Sequence, residues 1–335
     1  MELINTTRFA GQLVVLPDKD GFETLVAVLK GTFAIGRGEC VPAEEQAPIV
    51  AADEFNGKPG ESSTKYESDL APHKPATDVV LLGHAHAPKP GTRHVDVSLS
   101  VGPVKLAARV HGDRRWGYVL GIARITGPEP FEKIPLVFER AFGGVQPSKD
   151  GEGAEGAEQR NPLGVGYVKK KRRSYINGLA LPNVEDPRRP IKRLGNKPPP
   201  VGFGFVGRHW FPRRRYLGTY DAAWKADRLP LLPRDFNDRA WCGAPAALQA
   251  SPHLVGGEPV RAASVSANGP LDFRLPATRP TIEAHWGGSW TPLAPLLDTV
   301  VIEPDSSRVC MTWRASLRIH GRVREMRAVR MTAAI

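Results

Sequence analysis

Apolar and polar positions along the chain repeat with a period of two far more often than with a period near four. Between residues 24 and 35 the block Leu25-Val26-Ala27-Val28-Leu29 runs into Lys30-Gly31-Thr32-Phe33, which predicts a strand buried for much of its length. Val95, Val97, Leu99 and Val101 alternate with Asp96, Ser98 and Ser100. Gly102-Pro103 breaks the run, and Val104, Leu106, Ala108 and Val110 resume it, the pattern of a hairpin with one apolar face. Residues 299–303 and 309–319 are strand-like on either side of the turn cluster Pro304-Asp305-Ser306-Ser307. Helical signals are confined to 221–228, with Thr219 as a candidate cap, and 235–249, which Pro245 would kink or divide. Strands do not alternate with long amphipathic helices, which disfavours a doubly wound sheet or a β/α barrel, and there is no internal repeat of fixed period. The expected fold is mainly β, a β-rich α+β class: antiparallel strands, long Gly/Pro-rich loops and a few short helices.

Composition narrows the class. Thirty-four Gly and 32 Pro in 335 residues exceed ordinary usage without a Gly-every-third period, which excludes collagen, and 41% hydrophobic residues exclude a disordered chain. Cys40, Cys242 and Cys310 are far apart and odd in number, so neither a disulfide framework nor a zinc ribbon is expected and a reducing compartment is. The N-terminal residues turn polar before an apolar core could form, and no apolar run approaches the roughly 18 residues of a membrane span. These features point to a soluble, cytoplasmic protein without membrane partners.

Charge divides the chain. Residues 160–228 carry 17 Lys and Arg against Glu185, Asp186, Asp221 and Asp227, a net +13, whereas the whole chain has +11 and the remainder therefore −2. Just before lies Asp150-Gly151-Glu152-Gly153-Ala154-Glu155-Gly156-Ala157-Glu158, a low-complexity acidic stretch with no apolar anchor, read as a flexible surface loop. The expected organisation is an N-terminal β-rich lobe over 1–149, the acidic loop over 150–159, and a basic, Pro-rich middle with a C-terminal β-rich lobe over 160–335, separate from the first or one continuous domain with it.

Several motifs invite a chemical reading. Gly202-Phe203-Gly204-Phe205-Val206-Gly207 fits G-x-G-x-x-G, but Pro198-Pro199-Pro200 stands where a strand is required and His209-Trp210-Phe211-Pro212 where a helix should begin, so an extended Gly and aromatic loop is the better reading. His84-Ala85-His86 puts two imidazoles on one face of an extended segment, as in some metal-dependent hydrolases, with His73, His94 and His111 nearby in sequence. No H-E-x-x-H or carboxylate spacing accompanies the pair, and hydrogen-bonded or solvent-facing histidines are the commoner outcome. Lys169-Lys170-Lys171-Arg172-Arg173, Arg188-Arg189, Lys192-Arg193 and Arg213-Arg214-Arg215 interleave with aromatic residues, a combination that suits single-stranded nucleic acid but equally a solvated face or an acidic protein partner. Nucleophile elbows and Walker loops are absent from the sequence.

A set of phrases then carries a family resemblance. They are His73-Lys74-Pro75-Ala76-Thr77-Asp78-Val79-Val80-Leu81-Leu82-Gly83, Gly112-Asp113-Arg114-Arg115-Trp116, Phe138-Glu139-Arg140-Ala141-Phe142-Gly143-Gly144 and Asn161-Pro162-Leu163-Gly164-Val165-Gly166. Leu181-Pro182-Asn183-Val184-Glu185, Gly218-Thr219-Tyr220-Asp221-Ala222-Ala223-Trp224 and Leu229-Pro230-Leu231-Leu232-Pro233-Arg234-Asp235-Phe236 follow in order. Over about residues 10 to 275 the chain resembles the bacterial family catalogued as domain of unknown function 2169. The resemblance implies a non-enzymatic type VI secretion adaptor or chaperone that helps load a toxic effector onto the spike. The implied partners are the effector, a VgrG-type spike or PAAR-tip protein, and a pentapeptide-repeat protein. It implies no catalytic residue and no cofactor.

Candidate partner-binding residues are therefore the basic clusters Lys169, Lys170, Lys171, Arg172, Arg173, Arg213, Arg214 and Arg215, with Trp116, Trp210 and Trp224 as interface anchors or, alternatively, core residues. Asp113 and Arg114 are expected to pair across a turn. A metal-dependent hydrolase using His84 and His86 is the second reading of function, and nucleic-acid binding through the basic middle the third.

Overall fold

A computed structural model describes residues 1–36, 38–319, 321 and 323–334. Strands hold 42% of the residues and helical segments 9%, as the period-two patterning requires. The largest sheet has seven strands and is organised on Glu23–Ile35, which pairs with Arg308–Arg318 from Thr24 to Ala34. Leu296–Glu303, Thr77–Leu81 and the short Gln249–Ala250 follow on one side, and Ala10–Pro17 and Cys40–Pro42 pair with Glu23–Ile35 on the other. Thr77–Leu81 runs parallel to Leu296–Glu303, so the sheet joins chain from both sides of the acidic segment. The expected hairpin forms from His94–Val101 and Val104–His111 and lies in a five-stranded sheet with Val184–Glu185, Pro259–Ala263 and Leu271–Arg274. Glu2–Asn5, Met326–Ala334, Arg279–Trp286 and Ser289–Leu293 make a third sheet, and a single cluster of buried apolar side chains runs through all three.

The two faces of the seven-stranded sheet differ in kind. Ala27, Leu29 and Phe33 lie opposite Ala315, Trp313 and Val309, and Leu25 and Met311 join them in the apolar core. The other face carries Lys30, Thr312 and Arg314, polar residues that alternation alone would send to solvent, yet all are buried. Each is partnered, as burial of charge demands. Lys30 Nζ donates to Asp69 Oδ2 at 2.9 Å, and Arg314 Nε to Asp298 Oδ2 at 2.5 Å with further bonds to the Asp69 and Ala71 carbonyls. Lys74 Nζ donates to Asp78 Oδ2 and to the Thr299 hydroxyl. Asp78, fully buried, also accepts the backbone N–H groups of Gly243 and Ala244 at 2.7 and 3.0 Å. A Cβ at position 243 would lie 2.3 Å from Glu67 Oε2, so glycine is needed for that approach.

This anchorage explains a departure from expectation at 235–249. No helix forms there; two 3-10 turns, Asp238–Trp241 and Ala246–Leu248, stand in its place. Asn237 caps the first through the Arg239 N–H, Pro245 offers no N–H, and Asp78 takes the amides between them, leaving no donors for a continuous helical ladder. The expected helix at 221–228 is present as Ala222–Asp227, but its cap is Asp221, which accepts the Trp224 N–H at 2.8 Å. Thr219 instead bonds Asp235 through both its amide and its hydroxyl.

Part of the acidic stretch departs from the expected loop, since residues 150–153 are exposed turn and bend but a strand begins at Ala154. Ala154–Ala157 forms a strand against Val145–Pro147, and Glu158 is buried with both carboxylate oxygens on Arg160. Ion pairing anchors what apolar area could not. Gly144, at φ +96°, lets the following chain pass within reach of Gly164, whose carbonyl would meet a Cβ there at 2.3 Å.

Replacing Asp78 by Ala leaves Lys74 and two amides buried without their acceptor. A loss of about 3–5 kcal/mol is expected from breaking such a pair, read as a lower urea midpoint at unchanged slope. Lys58→Ala, which breaks the solvent-exposed Lys58–Glu61 pair at 3.9 Å, is expected to leave the midpoint where it is.

Candidate interaction face

The phrases that carry the family resemblance meet one another in space. Arg114 is buried and donates to Glu185 Oε1 and the Pro182 carbonyl, both in the 181–185 phrase. It does not pair with Asp113, which instead accepts from Asn183 and faces Arg140 at 3.5 Å; Glu185, in the dry position, wins the guanidinium. Asn161 Nδ2 reaches the carbonyls of Phe138 and Phe142, and Thr219 reaches Asp235. These residues are fold-holding contacts.

Three proposed partner-binding residues are likewise turned inward. Trp116 packs with Phe142, Tyr167, Ile176, Leu181 and Ile191 in a second apolar cluster. Trp210 stands edge-on to Phe138 at 5.1 Å in the main core. Arg213, on the short helix Phe211–Arg214, is buried and donates to Glu67 Oε1 at 2.6 Å and to the Val206 and Ala240 carbonyls. Trp224 is half-buried, with its indole N–H on the Leu231 carbonyl and its ring against Tyr220 at 4.7 Å.

The remaining basic residues form a band. Lys170 and Arg172 face Glu155, which is thereby neutralised, and Lys169 donates to the Glu155 carbonyl. Lys171 and Arg173 are exposed and make no ion pair among the described residues. A Cβ on Gly195 would touch the Lys171 stem at 3.5 Å, Lys197 lies over the Tyr167 ring at 5.2 Å, and Arg160 bonds the Pro198 carbonyl. Those contacts join 169–173 to 192–198 and onward to Arg160. Arg214 bonds Gln159, next to Arg160, so the 213–215 cluster borders the same band.

Sequence reasoning missed the apolar element beside it. Arg115–Val119 and Ile122–Thr126 form a hairpin whose two-residue turn, Leu120-Gly121, has φ +49° and +79°. Leu120 is 97% exposed, and Val119 and Ile122 are more than half exposed. Positive φ at both central residues is the hairpin turn that favours Asn-Gly, so leucine there combines backbone strain with solvent-exposed apolar surface. Arg173 stacks over Tyr118 at 4.8 Å, placing the hairpin against the basic run. The available signal was the turn-like Leu120-Gly121 inside an alternating stretch, readable as a hairpin though not as a projecting one.

His84 and His86 lie on the strand His84–His86, with His84 Nδ1 2.8 Å and His86 Nε2 3.3 Å from the two oxygens of Asp305. Burial raises the Asp305 carboxyl, and the two imidazole hydrogen bonds outweigh it, so its pKa is lowered. No group of three or more His, Cys, Asp or Glu side chains arranged to hold a metal occurs among the described residues. No helix among them is long and apolar enough to cross a membrane.

These features define a mainly β protein with a cationic face, built largely from loops, beside an exposed apolar hairpin tip. The family model described as an uncharacterized protein conserved in bacteria, domain of unknown function 2169, matches residues 20–314, and the chain belongs to that family. No curated protein and no solved structure matches it.

Leu120→Asn removes the apolar tip while suiting the turn. The variant is expected to melt at the same temperature as the parent or a few degrees higher, since Asn tolerates positive φ at lower cost. A melting point lowered by several degrees in calorimetry would show that the leucine packs within the fold.

Proposed function

We propose that this chain is a non-enzymatic, cytoplasmic adaptor of a type VI secretion system, which binds a toxic effector and helps load it onto the VgrG-type spike or its PAAR tip. The observation that carries the reading is the exposed tip formed by Val119, Leu120 and Ile122, set beside Lys171 and Arg173, which make no ion pair among the described residues. Apolar contact surrounded by charge is the usual anatomy of a specific protein interface. Membership of the family, with the role its resemblance implies, supplies the biological setting. The partner surface that fits is an apolar depression with an acidic rim, on the effector, the spike or tip, or a pentapeptide-repeat protein.

The two parts of the face do different work. Exposed cations steer encounter and raise the association rate, whereas a buried apolar anchor governs dissociation. Reversing Lys169, Lys171 and Arg173 to Glu keeps the Lys170 and Arg172 ion pairs with Glu155 and removes only solvent-exposed contacts, the Lys169 bond to the Glu155 carbonyl and the Arg173 stack on Tyr118.

In a kinetic binding series against the cognate effector, the triple reversal should slow association by roughly tenfold at low salt, with raised salt mimicking it in the parent. Leu120→Asn should speed dissociation by a comparable factor at every salt concentration. Unchanged rates in both variants, or no complex with the effector, would set the reading aside.

A further inference from the structure

A cavity of about 220 Å³ lies where the band meets the core, and its lining has an unusual charge balance. Arg160, Arg213, Arg215 and Arg239 all border it, and no Asp or Glu among the described residues does. Arg160 and Arg213 are neutralised behind the wall by Glu158 and Glu67. Arg215 and Arg239 make no ion pair among the described residues; Arg215 Nη2 donates to the Tyr216 hydroxyl at 2.7 Å, and although burial raises the phenol's pKa, the two guanidinium groups outweigh it and lower it. The hydroxyl accepts from Arg215, which leaves its own proton available as a donor. Apart from Gln249, whose amide nitrogen donates to the Ala244 carbonyl, the rest of the wall is apolar, and Pro199, Pro200, Pro212, Pro245 and Phe138 make it stiff. A larger cavity, about 740 Å³ over the outer face of the five-stranded sheet, makes the contrast, because Asp186 and Asp272 there accompany Lys105, Arg188 and Arg261.

We infer that the Arg215–Tyr216–Arg239 cavity is a binding site for a carboxylate carried on an apolar body about the size of one amino-acid residue. Two guanidinium forks and a phenol offer directed donors that match a planar carboxylate, and the proline and phenylalanine wall takes the apolar remainder. A bare inorganic anion would leave that wall wet. Within the adaptor reading, on which this part rests, the carboxylate is an acidic side chain or the terminal carboxylate of a partner protein. The Pro198-Pro199-Pro200 run, with Gly202 of the sequence that mimics a dinucleotide fingerprint, supplies part of this wall.

Four small probes, each titrated into the full chain and followed by calorimetry and the arginine Nε–H resonances, test the site. N-acetyl-leucine presents a terminal carboxylate, N-acetylglutamate α-methylamide a side-chain carboxylate, N-acetyl-leucinamide the apolar body alone, and inorganic phosphate the charge alone. Binding of at least one carboxylate probe with a dissociation constant on the order of 1 mM is expected for so small a ligand, and whichever binds tighter identifies the source. Arg215→Gln with Arg239→Gln should weaken it at least tenfold at an unchanged melting temperature, since both side chains are exposed. Equal binding of the amide, tighter binding of phosphate than of either carboxylate, or affinity indifferent to the two substitutions would overturn the assignment. Should the double variant fold poorly, the comparison of N-acetyl-leucine with its amide on the parent chain decides the matter alone. No partner protein enters the titration, so it can fail while the effector still binds, and succeed where the effector does not.

Discussion

Asp78 is the group on which most of this structure depends. It sits at zero exposure on Thr77–Leu81, the strand next to the short edge strand Gln249–Ala250, holds Lys74 from the preceding loop, and accepts two backbone amides from Gly243 and Ala244 far along the chain. A carboxylate so placed loses its hydration entirely, and only a full set of donors makes burial tolerable. Lys74 shows the other half of the exchange: burial alone would lower its pKa, but Asp78, Asp298 and Glu67 outweigh that and raise it. The same polar face carries Lys30–Asp69 and Arg314–Asp298, so it is closed by paired charge and the opposite face by apolar packing.

This anchorage determines what the basic middle can present. Glu67 binds Arg213, Asp53 binds Arg208, Glu158 binds Arg160, Glu155 serves Lys170 and Arg172, and Asp20 binds Arg228. The acids near the band are thus committed to holding loops in place, while Lys171, Arg173, Arg215 and Arg239 keep no carboxylate among the described residues. Excess positive charge is therefore displayed on a scaffold fixed from beneath. Irregular segments positioned by a rigid sheet are where recognition usually resides, and here the rigid element reaches them through Asp78 and Glu67.

Much of the fold was legible because strand patterning survives in single sequences: 95–110 reads as a hairpin and forms one, and Leu25 to Phe33 reads as a buried strand and is one. The helix expected at 235–249 failed because its backbone donors were claimed by a residue more than 150 positions earlier, which no local pattern records. The burial of Lys30, Thr312 and Arg314 was invisible for a related reason, since alternation distinguishes two faces without saying that the polar one is covered. In the candidate site, charge density marked the basic segment but not which of its members face outward. Arg213 and Trp210 turn inward, and the most exposed large hydrophobe among the described residues is Leu120, an aliphatic residue in a turn that drew no attention beside the tryptophans.

The central claim is that partners meet the hairpin tip and the band above this anchored sheet. Amide hydrogen exchange on the full chain, alone and with its cognate effector, tests it most directly. Added protection is predicted at 118–122, 169–173 and 213–216, with slow and unchanged exchange at Gly243 and Ala244 in both states. Protection confined to the outer face of the five-stranded sheet, or to the His84–His86 strand, would contradict the account and move the interface elsewhere.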